Sequence, residues 1–176
     1  MRALVAVLVI AVAASVVAAA PVATAVRLDK PIALDGKLTE AVWAGVAPIR
    51  DFAVLGEDAK AKQQTEAWLA YDDDNLYVAV KAHESQMDKL AATVTERDGK
   101  VFNEDVIEIF VDPAKTNFAM LQFAFNPLGT QADLMGDAVG MSMTWNGLWQ
   151  VKTARGADFW SAEVALPFAT LGVSPL

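Results

Sequence analysis

Three polar side chains in residues 101–126 have types and spacings that could do chemistry together. Residues 105–112 and 118–126 are predicted to be two strands, in which side chains at every second position share a face, one face being largely apolar and the other carrying the polar residues. Glu108 then lies between two hydrophobic residues, and Gln122 and Asn126 lie on one face of the second strand. If the two strands form a hairpin, Glu108 is expected opposite Gln122.

The same hairpin would bring Asn126 near Glu104 and leave Phe102 at the rim of the polar face. Carboxylate and amide groups make directional hydrogen bonds to hydroxyl groups, and an aromatic ring covers the C–H side of a sugar. This face therefore suits a neutral, polyhydroxylated ligand. The alternative is a solvated face that is polar only because antiparallel sheets commonly have one wet side.

The elements that must position these residues are strands. The chain has 176 residues, enough for one domain with a sizeable core, and shows roughly nine short alternating segments separated by turn residues, with almost no helical pattern. This pattern predicts an all-β fold, an antiparallel β-sandwich of the immunoglobulin or jelly-roll kind, or a barrel. Trp43, Trp149 and Trp160 are expected in the core, because large aromatic side chains dominate cores.

Composition excludes several classes of function. The net charge of −8 argues against a nucleic-acid partner, and the absence of cysteine excludes disulfides and thiol chemistry. His83 is the only histidine, so a two-histidine metal site is excluded, and we expect an ordinary strand end there. The acidic turn at residues 72–75 could bind calcium through carboxylates, although a solvated hairpin turn accounts for it as well.

The N-terminus is typical of a signal peptide. Arg2 precedes an apolar run over residues 4–20, and Ala23-Thr24-Ala25 forms a small-residue cleavage site. We therefore expect a signal peptide over residues 1–25, a domain over residues 26–176, and a secreted protein, periplasmic or extracellular. An uncleaved membrane anchor is the alternative, because the run approaches the ~20 residues needed to span a bilayer.

Five motifs follow one another in the order found in a known family. They are IALDGKLTEAVW at residues 32–43, AYDDDNLYV at 70–78, NEDVIEIFVDP at 103–113, FNPLG at 125–129 and WSAEVALPF at 160–168. Through them the chain resembles the family 9 carbohydrate-binding modules, β-sandwich domains related to the DOMON group. The resemblance implies a non-catalytic sugar-binding domain, associated in this family with sugar-degrading enzymes on longer chains.

The resemblance also implies roles for individual residues. Phe102 stands where the sugar-binding members place a stacking tryptophan, Glu108 matches their sugar-binding glutamate, and Asn126 matches their asparagine. Ala124 stands where an arginine is expected, and a second stacking tryptophan belongs to closing strands beyond residue 176, so that the chain reads as C-terminally incomplete or divergent. Trp145 or Trp149 could replace that aromatic, although Trp149 is expected in the core. The sugar-binding members also carry calcium, for which this sequence shows no clear cage.

Three other functions remain open. A haem-binding redox domain, as in DOMON relatives, would need His83 and one of Met87, Met120, Met135, Met141 or Met143 as axial ligands. A structural envelope module would keep the sandwich and lose the sugar. A glycoside hydrolase needs two carboxyl groups about 5–10 Å apart. Within the acidic strand, Glu108 is four residues from both Glu104 and Asp112, about 13 Å at the strand rise, so only a cross-strand pair could serve.

Overall fold

The computed structural model describes residues 22–137 and 139–173. It contains nine strands, namely β1 (Val26–Arg27), β2 (Thr65–Tyr71), β3 (Asn75–His83), β4 (Ile107–Val111), β5 (Met120–Phe125), β6 (Gln131–Gly136), β7 (Met141–Ser142), β8 (Gln150–Arg155) and β9 (Phe159–Pro167). Helices α1 (Ala41–Gly45) and α2 (Phe168–Leu171) are short, as are two 3-10 turns at Met87–Lys89 and Val101–Asn103. The predicted all-β fold is confirmed.

The strands form two sheets. A five-stranded sheet has the order β1-β2-β3-β9-β8, and a four-stranded sheet has the order β4-β5-β6-β7. Every pairing between strands is antiparallel except that of β1 with β2, in which Val26 lies beside Ala70. The long strands β3 and β9 pair along their whole lengths at the centre of the five-stranded sheet.

The core lies between the two sheets, as a sandwich requires. Alternation turns Leu121, Phe123 and Phe125 of β5 inward, where they pack with Trp149 and Trp160. Phe125 meets Trp160 edge to face, with ring centroids 6.0 Å apart. The expected burial of Trp149 and Trp160 is confirmed.

The outer face of the five-stranded sheet is also covered, by the segment that precedes β2. Trp43 is buried there against Ala70, Tyr77 and Ala79, so its expected burial is confirmed, in a second cluster rather than between the sheets. The turn at Gly36 crosses β8 closely: a Cβ at this position, where φ is +80°, would lie 2.6 Å from the carbonyl carbon of Thr153. Only glycine fits both the conformation and the space.

The β4–β5 hairpin forms, but the predicted register is wrong by two residues. Glu108 lies opposite Ala124, and Gln122 lies opposite Phe110. The connection that sets the register passes through Lys115 and Asn117, both with positive φ, a geometry that alternation does not encode. A shift of two leaves every side chain on its predicted face, because the side-chain period of a strand is two.

Within the described residues, no helix has the length and apolarity needed to cross a membrane. Most of the predicted signal peptide, residues 1–21, lies outside the described part of the chain. The boundary expected after residue 25 directly precedes β1.

Candidate functional site

The outer face of the four-stranded sheet carries the polar pair predicted from the sequence. Glu108 is exposed on β4, and Gln122, buried on β5, donates a hydrogen bond from its amide nitrogen to the Glu108 carboxylate. This bond fixes one carboxylate oxygen and leaves Glu108 open to solvent. The pair therefore presents an anchored hydrogen-bond acceptor on an accessible surface.

Asn126 has a different environment. It is fully buried, and its Nδ2 donates to the Val94 carbonyl and to Glu104 Oε2, each at 2.8 Å. Its Oδ1 accepts from the backbone N–H groups of Leu128 and Thr130, both at 3.0 Å. Both amide protons and the carbonyl oxygen are thus engaged by the protein. Asn126 lies near Glu104 as expected, and it holds the loop around the site.

Glu104 fastens the segment that carries Phe102. Its Oε1 accepts from the Thr93 hydroxyl at 2.6 Å and from the backbone N–H groups of Thr93 and Val94. Hydrogen bonds from Thr93 and Asn126 outweigh desolvation and lower the pKa of Glu104 to about 2. The carboxylate is therefore charged across the whole neutral range, and its bonds persist there.

Two partly exposed phenylalanines lie near the polar pair in the chain's fold, Phe110 directly opposite Gln122 and Phe102 in the turn that packs on Ala124. Phe102 lies in the 3-10 turn next to the buried Val101, which packs on Ala124, and its side chain is 38% exposed. Phe110 is 56% exposed and lies on the same face of β4 as Glu108. Phe110 was not singled out from the sequence as a ligand contact, although alternation already placed it beside Glu108.

Trp145 lies on the other side of the sheet. Its ring packs edge to face on Phe123, with centroids 5.8 Å apart, and Phe123 points into the core. The structure therefore brings Glu108 and Gln122 together on the outer face, with Phe102 in the turn that packs on Ala124, and does not bring Trp145 to them. The second aromatic next to the pair is Phe110.

An apolar cleft of about 600 Å³ runs along the free edge of β4, between the sheets. Ala67, Leu69, Val78 and Val80 contribute to its lining, together with the inward isoleucines of β4. A ligand rich in hydroxyl groups would find few hydrogen-bond partners inside it. Glu108 and Phe110 also line this cleft, so it adjoins the polar pair, and the polar face suits such a ligand better than the apolar interior of the cleft.

In the acidic turn between β2 and β3, the Asp72 carboxylate already accepts hydrogen bonds from the hairpin itself. Asp72 is buried and accepts from the backbone N–H groups of Asp74 and Asn75 and from the Tyr77 hydroxyl at 2.7 Å. Burial raises the pKa of Asp72, but these hydrogen bonds outweigh burial and the net shift is downward. Asp72 therefore caps the turn, which favours the hairpin interpretation over a calcium site.

Another acidic group, in the described part of the chain, could hold a hard cation. Carboxylate oxygens of Asp35, Glu40 and Glu163 lie within 4.8 Å of one another, and Glu40 Oε2 is buried without a hydrogen-bond partner. Oxygen ligands suit calcium. However, Glu163 already accepts from Asp35 N, Gly36 N and Trp43 Nε1 at 2.8–2.9 Å. Burial, and then a hydrogen bond to Glu163, raise the pKa of Glu40, so a shared proton satisfies the pair equally well.

His83 ends β3, as expected, with Nε2 3.6 Å from Glu66 Oε2. Among the methionines considered with it as haem ligands, Met87 packs against the core, whereas Met141 and Met143 lie exposed near β7. Neither the structure nor the comparisons below support the haem alternative.

Comparisons with known proteins agree with this architecture. A search of curated proteins found no match. Among solved structures, a Bacteroides uniformis protein provisionally described as carbohydrate-binding is similar at 14% identity and a TM-score of 0.66, covering 84% of this chain and 73% of that one. A family 9 carbohydrate-binding module from Caldicellulosiruptor kristjanssonii, solved with cellotriose, is similar at 18% identity and a TM-score of 0.59, covering 81% of this chain and 65% of that one.

The same kind of module from Caldicellulosiruptor kristjanssonii, solved with glucose, is similar at 18% identity and a TM-score of 0.62, covering 87% of this chain and 71% of that one. At these identities the likeness shows the shared sandwich fold. The model of the carbohydrate family 9 binding domain-like family matches residues 34–175, which is most of the sequence. The chain therefore belongs to the carbohydrate family 9 binding domain-like family.

Proposed function

We propose that this protein is a non-catalytic carbohydrate-binding module whose ligand lies on the outer face of the four-stranded sheet. The observation that carries the proposal is the exposed Glu108 carboxylate, fixed by Gln122, with the partly exposed ring of Phe110 on the same face and Phe102 in the adjoining turn. The carboxylate would accept hydrogen bonds from sugar hydroxyl groups, and the rings would contact the C–H faces of the sugar.

Asn126 supports this site from below. Because its hydrogen bonds are all made within the protein, its role would be to hold Glu104 and the Phe102 segment in place. Two family 9 structures with the same fold contain glucose and cellotriose, which makes glucose and short glucose oligomers the natural first probes. An open site with two rings and one carboxylate supports a micromolar to millimolar affinity, about 4–8 kcal/mol.

The proposed location is outside the cytoplasm. A signal peptide over residues 1–25 would direct the domain of residues 26–176 to the periplasm or the exterior, where polysaccharides occur. A catalytic domain on a longer parent chain would give the module its use in polysaccharide breakdown. Finding the N-terminus of the secreted protein at Val26 would establish the cleavage.

Calorimetric titration with glucose and cellotriose tests the site. We expect Glu108→Ala to weaken binding by about tenfold or more, since a hydrogen bond to a charged group contributes about 1.5–3 kcal/mol. Phe110→Ala should also weaken it, because the ring that would cover the C–H face of the sugar is lost. Phe118→Ala is the matched control, because Phe118 is 74% exposed in the β4–β5 connection, away from Glu108. Equal affinity in all variants would refute this site.

The second candidate is a structural module that keeps the sandwich without the sugar. Two observations favour this candidate. Ala124 stands where the resemblance implies an arginine, and Asn126 has no free hydrogen-bonding group to offer a sugar. A folded protein that gives no heat with any oligosaccharide of a broad panel would establish this candidate.

A further inference from the structure

We infer that the ligand of this protein is an alkyl glycoside, a sugar that carries an unbranched hydrocarbon chain, and that the chain occupies the apolar cleft along the free edge of β4. The inference rests on the proposed function, because the sugar would be held by Glu108 and Gln122 on the outer face. It adds the cleft as a second binding region and names the chemical class of the ligand.

The cleft has the size and the lining of a ligand site. Its volume is about 600 Å³, and small-molecule sites are mostly apolar cavities of about 300–1,000 Å³. Inward residues of β2 and β3 form one wall, and β4, which pairs only with β5 among the described strands, forms the other. Twelve of the fourteen lining residues are apolar, the exceptions being Thr65 and Glu108. A strongly hydrated group would therefore lose its water inside without gaining new partners.

Strand β4 connects the cleft to the polar pair. Its side chains alternate between the two faces of the sheet. Ile107, Ile109 and Val111 pack against the core, whereas Glu108 and Phe110 lie on the outer face, and all five line the cleft. Only the width of this edge strand separates the Glu108 carboxylate from the apolar interior, so one ligand that crosses the edge contacts both.

The shape of the cleft suits a chain. Its lining includes six consecutive residues, Val106–Val111, which at the strand rise extend over about 17 Å. A volume of about 600 Å³ spread over that length leaves a slot only a few atoms wide. An unbranched hydrocarbon chain fits such a slot along its length, and every methylene group that enters it leaves water.

The charge beside the cleft selects the head group of the ligand. The Glu108 carboxylate only accepts hydrogen bonds, and the bond from Gln122 leaves it further lone pairs. A fatty acid would bring its own carboxylate next to Glu108, and like charges repel. The hydroxyl groups of a sugar would instead donate hydrogen bonds to it. Among amphiphiles with the same chain, the site therefore favours a glycoside over a fatty acid.

Calorimetric titration of the purified protein with methyl β-glucoside and hexyl β-glucoside tests the inference. The two ligands share the sugar and differ by five methylene groups. Each methylene that enters the cleft should tighten binding about fourfold, which corresponds to about 0.8 kcal/mol. We therefore expect hexyl glucoside to bind more tightly by at least about tenfold. Heptanoate, which carries the same six-carbon chain on a carboxylate, should bind more weakly than hexyl glucoside.

Variants separate the chain from the sugar. Ala67→Leu places extra carbon atoms in the cleft, which Ala67 lines from β2, and should remove most of the difference between the two glucosides. Glu108→Ala should weaken both glucosides by the same factor, because they share the sugar. Ala157→Leu is the matched control, since Ala157 is exposed in the turn between β8 and β9, at the opposite edge of the five-stranded sheet. It should leave both affinities unchanged.

The outcomes distinguish the inference from the proposed function. Equal affinities for the two glucosides would overturn the inference and leave the carbohydrate site standing, whereas binding of neither would overturn both. Heptanoate that binds as tightly as hexyl glucoside, or a difference between the glucosides that persists in Ala67→Leu, would also overturn the inference. Circular dichroism reports the folding of each variant, and the comparison of ligands on the parent protein decides the question even where a variant fails to fold.

Discussion

Replacing Glu163 with glutamine should destabilise the whole domain, although Glu163 lies far from the proposed ligand. Glu163 is fully buried in β9, on the outer face of the five-stranded sheet. Its carboxylate accepts from Asp35 N at 2.8 Å, Gly36 N at 2.9 Å and Trp43 Nε1 at 2.9 Å. These three bonds attach the N-terminal segment to the centre of the sheet.

The magnitude follows from these three bonds. Glutamine keeps one acceptor oxygen, so either the indole N–H or the two backbone N–H groups must face an amide NH₂. Losing one hydrogen bond to a charged acceptor costs about 1.5–3 kcal/mol, and the remaining bonds become neutral and weaker. We therefore expect Glu163→Gln to lower the free energy of unfolding by about 3 kcal/mol, which for a domain of this size lowers Tm by about 6–12 °C.

Urea unfolding followed by tryptophan fluorescence and circular dichroism measures this change. Trp43 touches the substituted group, so its fluorescence also reports local release of the N-terminal segment. Glu57→Gln, an identical change at an exposed loop position, is the control and should leave the stability unchanged. A loss below about 1 kcal/mol for Glu163→Gln would refute the reasoning, because a single ordinary hydrogen bond would account for it.

Two further predictions concern pH. The pKa of Glu104 is lowered to about 2, so its contribution to stability is present above the ordinary pKa of a glutamate and is lost as the pH falls towards 2. Glu104→Gln should remove that acid-dependent part of Tm measured between pH 2 and 5, and an unchanged acid limb would contradict its origin. The pKa of Glu40 is raised by burial and by Glu163, so the stability that its proton provides is present below the ordinary pKa and is lost as the pH rises through the folded-state pKa. Glu40→Gln imitates the protonated group and should raise Tm at about pH 7 by a few degrees, which corresponds to about 1 kcal/mol. Calorimetric scans with and without calcium measure this change. A variant that melts lower than the parent, together with stabilisation of only the parent by calcium, would show that Glu40 binds an ion instead.

The sequence predicted which side chains share a face, because alternation along a strand does not depend on which residue of the neighbouring strand lies opposite. It placed Glu108 and Gln122 on one face correctly and mispaired them, since the register depends on a connection with two left-handed residues. The same reasoning could not show that the side chain of Asn126 makes all its hydrogen bonds within the protein. Its partners Val94 and Glu104 lie 32 and 22 positions earlier and reach it only in the folded chain.

Glu163 was visible in the sequence and its role was not. A glutamate within WSAEVALPF is out of place in a strand that is apolar on both faces, and that is the signal that could have marked it. Its partners lie in the turn at residues 35–36 and in α1, more than a hundred positions away. Trp145 shows the reverse case: an aromatic next to a turn suggested a ligand contact, and Phe123 receives it on the core side.

The central position of β9 has a consequence for the order in which this chain can fold. His83 pairs with Phe159 and Asn75 with Pro167, separations of 76 and 92 positions. Until β9 leaves the ribosome, β3 lacks one neighbour, and the N-terminal segment lacks the glutamate that fastens it. Pairing across such distances is slow because loop closure must come first. This domain therefore stays unfolded until β9 has been made, which is the state in which a protein with a signal peptide would be threaded across a membrane.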